Sequence, residues 1–234
     1  IRINADNAID SYVVNVGSIG GSIVFGDGDD TLVNTQLVDS FGQVTSTGNI
    51  TLNDSVIDFG AGSNRFEVDR GILTLAGGDS LVTGADVFMT LATVEARNGA
   101  AGNTLTFDRN LSGSFTFGTD LGGAGADRLV VLGDVADGSE MSFVLNPTEQ
   151  LRGDHDFTVV SIAGDNGADA PVVAGVSGRF ADSLLRADAN YDAATGDVVV
   201  SARFGMGHMA VATAAATSMA QNWWLQSVES FDKR

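Results

Sequence analysis

Apolar and polar residues alternate in short runs along much of the chain, and glycine separates one run from the next. The alternation is clearest where two apolar residues stand two positions apart: Phe66 and Val68, Leu105 and Phe107, Phe115 and Phe117. Successive side chains of a β-strand point to opposite faces, so the two members of each pair would point the same way. The alternation therefore predicts short β-strands that each bury one face.

A similar unit recurs from Ile1 to about Asp134: an apolar run, a glycine turn that bears Asp or Asn, and another apolar run. In five copies the polar residue precedes Leu or Phe by two positions; these residues are Asp30, Asn64, Asp79, Asn103 and Asp127. The first step between copies is longer than the others and the second is shorter, whereas the last two are equal. The two equal steps lie in the range of roughly 20 to 45 residues that is typical of solenoid repeats.

Each bend of such a solenoid has the same requirements. Glycine supplies a positive φ, and Asp or Asn can hydrogen-bond nearby backbone or its counterpart one coil away. We therefore expect an all-β fold, a right-handed parallel β-helix. An ordinary β-sandwich with glycine turns is the alternative.

Changes in residue composition and in the length of the predicted strands divide the chain into three parts. Residues 1–139 are predicted to form the β-helix coils, and residues 140–204 a β-region with longer strands that caps the stack. Within this cap, "ANYD" and "DVVVSARF" around "AATG" predict a β-hairpin. Residues 205–234 are rich in alanine and predict an α-helix, on which Trp224, Val228 and Phe231 share one face.

Composition narrows the classes of partner. The chain has 234 residues, of which 44% are hydrophobic, and it can bury a sizeable core. Its net charge of −18 would repel nucleic acid and anionic lipid, and it contains no cysteine. It does not begin with Met, and its start lacks the features of a signal peptide, so we expect either that this peptide was removed or that the sequence is an internal piece.

Calcium is the first candidate chemistry. Gly122–Val130 matches the calcium-binding nonapeptide G-G-x-G-x-D-x-U-x, Phe25–Val33 nearly does, and Phe59–Glu67 has Asn64 in place of the key Asp. Calcium would be held between tandem copies, whereas these copies are isolated, so we interpret them as structural turns. If an ion binds, Asp27, Asp29 and Asp30 are the densest carboxylates; no cofactor is expected.

Few residues suit catalysis. The chain contains two histidines, His155 and His208, both in predicted loops, and it has no serine elbow, H-E-x-x-H or P-loop motif. We assign no catalytic, cofactor-binding or metal-ligating residue and expect no enzyme. The "RGD" at residues 152–154 could suggest integrin attachment, but three-residue matches arise by chance.

The last residues resemble the junction between passenger and translocator in type V autotransporters of Gram-negative bacteria. The family pattern is W-x-x-E/S-x-x-x-L/F-x-K-R, in a helix that threads an outer-membrane β-barrel. The residues that match it here are Trp224, Val228, Phe231, Lys233 and Arg234. The segments "GDGDDTL" and "GGAGADRL" resemble pertactin-like β-helix passengers, and residues 140–204 resemble the cap known as the autochaperone region. Glu229 and Ser230 replace the asparagine pair of self-cleaving members, so self-cleavage is not implied.

The resemblance implies a C-terminal passenger fragment that supports translocation, folding and surface display of an adhesin or virulence-type passenger. It implies a location at the cell surface and outer membrane, or release into the extracellular space. The implied partners are the protein's own C-terminal outer-membrane β-barrel, which this sequence does not include, and a host surface ligand; the chain is expected to be a monomer. A calcium-binding secreted protein of the RTX type and a β-helical polysaccharide-active enzyme are the alternatives.

Overall fold

The computed structural model describes residues 1–3, 9–123, 125–149, 151, 153–164, 171–178 and 185–204. Every regular element in these ranges is a β-strand, so the predicted all-β class is confirmed for them. Within the same ranges, no helix is long and apolar enough to cross a membrane. The α-helix predicted for residues 205–234 lies outside the described residues.

The strands are short and follow one another closely along the chain. The first ten are β1 (Tyr12–Asn15), β2 (Ser18–Gly20), β3 (Ile23–Val24), β4 (Thr31–Val38), β5 (Val44–Thr47), β6 (Asn49–Asn53), β7 (Val56–Asp58), β8 (Asn64–Asp69), β9 (Ile72–Gly77) and β10 (Ser80–Thr83). The next ten are β11 (Ala85–Glu95), β12 (Thr104–Phe107), β13 (Leu111–Gly122), β14 (Gly125–Ala126), β15 (Arg128–Val131), β16 (Glu140–Pro147), β17 (His155–Ile162), β18 (Val172–Gly178), β19 (Leu185–Asp192) and β20 (Asp197–Phe204).

These strands form two sheets that enclose one core. The twelve-stranded sheet has the order β1-β4-β8-β11-β13-β16-β18, with a side path β2-β6-β9 that joins at β11. Its remaining strands are β5, which pairs with β4, and β14, which pairs with β13. The eight-stranded sheet has the order β3-β7-β10-β12-β15-β17-β20-β19. Pairing along the main path of the first sheet and from β3 to β17 in the second is parallel throughout, and the strands curl into a nearly closed arrangement.

Some paired residues of neighbouring strands are separated by equal lengths of chain in both sheets. In the eight-stranded sheet Leu105 pairs with Leu129, and in the twelve-stranded sheet Val87 pairs with Leu111. The interval is the same in both pairs, and it equals the last two steps between the predicted repeats. For these strand pairs, the sequence repeat therefore corresponds to the spacing between paired residues.

The apolar positions of the alternating segments fill the interior. The residues predicted to face inward are buried: Phe66, Val68, Leu105, Phe107, Phe115 and Phe117. Aromatic rings meet across strands, since the Phe25 and Phe59 rings stack with their centroids 4.7 Å apart and their planes 7° from parallel. These phenylalanine side chains therefore belong to the core and contribute stacked contacts in addition to buried area.

The strand direction changes at one end of the eight-stranded sheet. β15 and β17 are parallel, whereas β17 and β20 are antiparallel, and β20 pairs antiparallel with β19. β19 and β20 form the hairpin predicted around "AATG". Val198, Val200 and Ala202 of this hairpin are fully buried, so it covers the core at this end.

Candidate functional site

Polar side chains at the bends form ladders that join neighbouring strands. In the first ladder, Oδ1 of the buried Asp30 accepts a hydrogen bond from the Ser11 backbone N at 2.8 Å. The Asp30 backbone N donates to Oδ1 of Asn64 at 2.8 Å. Nδ2 of Asn64 donates onward to the carbonyl oxygen of Gly84 at 3.0 Å. The first ladder therefore connects the bends that precede β4, β8 and β11.

A second ladder lies at the bends before β10, β12 and β15. The Asp79 backbone N donates to Oδ1 of Asp54 at 3.1 Å, and Oδ1 of Asp79 accepts from the Thr104 backbone N at 3.1 Å. Oδ1 of Asn103 accepts from the Gly78 backbone N at 2.8 Å. These are the contacts predicted for Asp and Asn between successive repeats.

The five repeat residues do not form a single series. Asp30 and Asn64 belong to the first ladder, while Asp79, Asn103 and Asp127 belong to the second. The short interval from Asn64 to Asp79 is therefore the path from one sheet to the other, not a shortened repeat. The steps between these residues are uneven because two different bends use the same residue types.

A third ladder was missed in the sequence. The Asn110 backbone N donates to Oδ1 of Asp86 at 3.3 Å, and the Asp134 backbone N donates to Oδ1 of Asn110 at 2.9 Å. Both intervals are 24 residues. The same spacing that identified the repeats would have found these residues. Asp86 even precedes Phe88 by two positions, whereas Asn110 and Asp134 lack a Leu or Phe there.

Two buried aspartates lie close together, Asp127 within the matching nonapeptide and Asp120 just before it. Asp120 and Asp127 are both fully buried. Oδ1 of Asp127 accepts from the backbone N atoms of Gly102 at 3.0 Å and Asn103 at 2.9 Å, and its Oδ2 accepts from the Asp120 backbone N at 2.8 Å. Both carboxylate oxygens of Asp127 are thus held by N–H donors, which supports its interpretation as a structural turn.

Burial raises the pKa of Asp127 above its ordinary value, because the charged carboxylate loses its water. The N–H donors from Asp120 and Asn103 oppose this rise, and the neighbouring Asp120 carboxylate adds to it. Asp120 is itself held by the Gly99 backbone N, which donates to its Oδ2 at 2.6 Å, and by Nδ2 of Asn146. Neither carboxylate is open to a polymeric substrate, because both residues have no exposed surface.

The three carboxylates named as the densest do not share one environment. Asp27 and Asp29 are exposed, and Oδ1 of Asp29 accepts from the Ser63 backbone N at 2.8 Å. Asp30 is buried, and its Oδ2 has no hydrogen-bond partner among the described residues. In the described part of the chain, no group of three or more His, Asp or Glu side chains is arranged to hold a metal ion.

The remaining candidate residues are only partly described. The half-buried His155 ring stacks on Phe157 with a centroid distance of 5.7 Å. Asp154 of the "RGD" segment is exposed, whereas Arg152 and His208 lie outside the described residues. The structure therefore leaves the integrin interpretation as a sequence-level hypothesis.

No protein-family model, curated protein or solved structure matches this chain. Functional inference therefore depends on the fold, the ladders and the surface of this chain.

Proposed function

We propose that this chain is the C-terminal part of the passenger of a type V autotransporter. In this proposal the strands form a right-handed parallel β-helix whose C-terminal end is closed by a β cap, followed by a linker helix. The fragment supports translocation, folding and display of an adhesin or virulence-type passenger on a Gram-negative cell surface. It acts as a scaffold and not as an enzyme.

The pairing register supports the β-helix. Strands lie parallel along the main path of the twelve-stranded sheet and from β3 to β17 in the eight-stranded sheet. Leu105 and Leu129 in the eight-stranded sheet are as far apart in sequence as Val87 and Leu111 in the twelve-stranded sheet. A chain that coils regularly produces a common offset in every sheet that it forms, since each coil contacts only its neighbours. The ladders add a side-chain connection at each bend, and buried polar groups require such partners.

The change of strand direction at β17, β20 and β19 is the observation that carries the proposal. Parallel stacking ends there, and a hairpin with buried Val198 and Val200 covers the last apolar layer. A stack without this hairpin would expose apolar surface and unpaired strand edges. A closed C-terminal end agrees with the cap that the sequence resemblance implies, because such a cap can fold first and offer an edge to the coils before it.

The linker and the partners follow from the sequence resemblance. The face with Trp224, Val228 and Phe231 would occupy the lumen of the protein's own outer-membrane β-barrel. The displayed chain would be a monomer that meets a host surface ligand, and the proposal includes its release into the extracellular space as an alternative fate.

The gene beyond the codon for Arg234 tests the assignment most directly. We expect successive segments of about ten residues with alternating hydrophobicity and aromatic girdles, the signature of an outer-membrane barrel. A stop codon, or tandem glycine-rich nonapeptides, would contradict the passenger assignment and favour a secreted calcium-binding protein.

Deletion of residues 141–204 tests the role of the cap in the full-length protein. We expect loss of secretion and of protease resistance in residues 9–123, because the coils lose their template edge. Replacement of residues 38–44 at the tip of the β4–β5 hairpin by Gly-Ser is the matched control, because these residues lie outside the core. Unchanged secretion and protease resistance after the cap deletion would show that the templating idea is wrong.

A further inference from the structure

One repeat carries an insertion that the fold does not need. The ladder residues Asp30 and Asn64, just before the paired strands β4 and β8, are 34 residues apart. Asp86 and Asn110, which connect β11 to the bend before β13, are only 24 residues apart. The additional residues correspond to a hairpin in which the end of β4 pairs antiparallel with β5, with Val38 opposite Val44. We call residues 36–47 the insertion hairpin.

The tip of the insertion hairpin is held in one conformation by Asp39. Its Oδ1 accepts from the backbone N atoms of Phe41 and Gln43, both at 2.9 Å. The Gly42 backbone N donates to the carbonyl oxygen of Asp39 at 3.0 Å, and the Asp39 backbone N donates to the Gln43 carbonyl at 2.9 Å. These N–H groups of the tip therefore have internal partners, so the tip can leave water at little hydrogen-bonding cost.

The insertion hairpin exposes apolar side chains on all sides. Phe41 at the tip is 86% exposed, and Leu37, Val38 and Val44 are about half exposed. Leu37 and Val38 are successive strand residues, so their side chains point to opposite faces. Val44 lies opposite Val38 and shares its face. The apolar groups thus surround the end of the hairpin and do not form one flat stripe.

This distribution fits a lipid interface better than the flat surface of a protein. A flat partner would cover one face of the hairpin and leave either Leu37 or Val38 in water. A bilayer interface encloses an inserted hairpin from every side. The open strand edges of the hairpin limit insertion to the boundary between headgroups and acyl chains, where their backbone groups stay hydrated.

The negative charge of the protein indicates which class of lipid the insertion hairpin can contact. Asp39 is the only charged residue of the insertion hairpin, while the whole chain has a net charge of −18. Anionic lipids would repel the molecule, whereas the outermost group of a phosphatidylcholine layer is a quaternary ammonium. Such a cation is attracted both by a carboxylate and by an aromatic ring, and the hairpin presents Asp39 next to the tip that carries Phe41.

We propose that the insertion hairpin is a membrane-contacting element that inserts Phe41 into the interface of a phosphatidylcholine bilayer. Leu37, Val38 and Val44 contact the lipid around it, and Asp39 lies among the choline groups. This activity does not depend on the passenger assignment, because it needs only the folded hairpin of this chain.

Co-sedimentation of the whole chain with pure phosphatidylcholine vesicles tests the proposal. We expect Phe41→Ser to lower the partition coefficient about tenfold or more, because the variant loses a large apolar side chain at the tip. Tyr12→Ser is the matched control, since Tyr12 is 73% exposed on β1 outside the insertion hairpin, and its effect should stay below about twofold. Addition of anionic phosphatidylserine to the vesicles should weaken binding of the wild type.

A site-specific reporter gives an independent readout. The chain contains no cysteine, so Ser40→Cys and Ala136→Cys each allow labelling with one environment-sensitive dye, at the tip and at a remote exposed site. We expect vesicles to shift the dye emission to shorter wavelength at residue 40 and to leave it unchanged at residue 136.

Two outcomes would overturn the proposal. If the wild type does not bind phosphatidylcholine, or if Phe41→Ser and Tyr12→Ser weaken binding equally, the hairpin does not contact lipid in this way. If instead the chain forms a concentration-dependent dimer that Phe41→Ser abolishes, a second copy covers the hairpin. Neither result would bear on the passenger assignment, which the downstream gene and the cap deletion test separately.

Discussion

Buried carboxylates at the bends combine two opposing effects. Burial penalises the charge of Asp127, while backbone N–H groups of Gly102, Asn103 and Asp120 stabilise it. The net result is a raised pKa, to which the nearby Asp120 carboxylate contributes. Asp30 is buried in a similar way but has one oxygen without a hydrogen-bond partner among the described residues. The hydrogen bonds of the ladders thus determine how the bends stack. The buried carboxylates lose their hydration in return, and this loss lowers the stability of the fold.

Asp127→Asn should change both the stability of the protein and its dependence on pH. The amide can offer only one acceptor oxygen to donors on two sides, so we expect a loss of about 1 to 3 kcal/mol for the unpaired N–H group. The folded state of the wild type binds the Asp127 proton more tightly than the unfolded chain does. This contribution to stability is therefore fully present below the unfolded pKa of 3.8 and is lost as pH rises through the raised folded pKa.

Urea unfolding of wild type and Asp127→Asn at pH values from about 3 to 7 checks this expectation. The stability advantage of the wild type should be largest at the acid end. Asp137→Asn removes one exposed negative charge without touching a ladder, and thus separates the effect of net charge. A difference between wild type and Asp127→Asn that is constant with pH would mean that folding does not alter proton binding at Asp127.

The bends can stack closely because glycines lie above one another. A Cβ at Gly60 would lie 2.4 Å from the carbonyl oxygen of Gly26, and one at Gly84 would lie 2.7 Å from that of Gly60. Gly60 and Gly84 also have positive φ angles of 68° and 83°. Glycine is thus required at these positions for two reasons: the backbone has a positive φ, and there is no space for a Cβ atom.

Three alanine substitutions separate these two requirements. Gly60→Ala should destabilise the fold by about 2 to 4 kcal/mol, because it adds a steric clash to the cost of a left-handed backbone. Gly42→Ala should cost about 1 to 2 kcal/mol, because its φ of 77° is equally unfavourable but the space around it is open. Gly20→Ala, with neither constraint, should be within about 1 kcal/mol of the wild type. Denaturant unfolding measures all three, and equal effects of Gly60→Ala and Gly42→Ala would show that close stacking is unimportant.

The molecule as a whole carries a charge that opposes its compact state. It contains 30 acidic and 12 basic residues, and the ion pairs of the described residues are partly exposed, as for Arg97 with Glu95 and Arg203 with Asp156. Exposed pairs contribute little, so they do not offset the mutual repulsion of the remaining carboxylates. The stacked core must therefore provide the stability.

Salt should therefore stabilise the fold. Between about 0.01 M and 1 M ionic strength the screening length falls from about 30 Å to about 3 Å, and we expect the urea midpoint to rise with NaCl. The double variant Asp27→Asn with Asp137→Asn removes two exposed charges and should show a smaller rise. A midpoint that does not depend on NaCl would contradict the view that long-range repulsion limits stability.

Local pattern was sufficient to predict the all-β class, the inward residues such as Phe66 and Phe117, and the β19–β20 hairpin. These features follow from the alternation of side chains along one strand and from turn residues a few positions apart, so they need no knowledge of distant contacts. The polar residues of the first two ladders, such as Asn64 and Asn103, could also be named, because Asp and Asn at bends have a local role; those of the third ladder were missed.

The membership of the ladders and the burial of individual side chains depend on pairing between strands that are distant in sequence. Whether Asn64 and Asp79 share a ladder depends on the strands that meet across a sheet, and the short interval between them does not by itself reveal that they lie in different sheets. The burial of Asp120 and Asp127 and the exposure of Phe41 depend on which repeat carries extra residues and on which strands pack beside it. Side-chain alternation is a property of each strand, whereas register and burial are properties of pairs of strands that are distant in sequence.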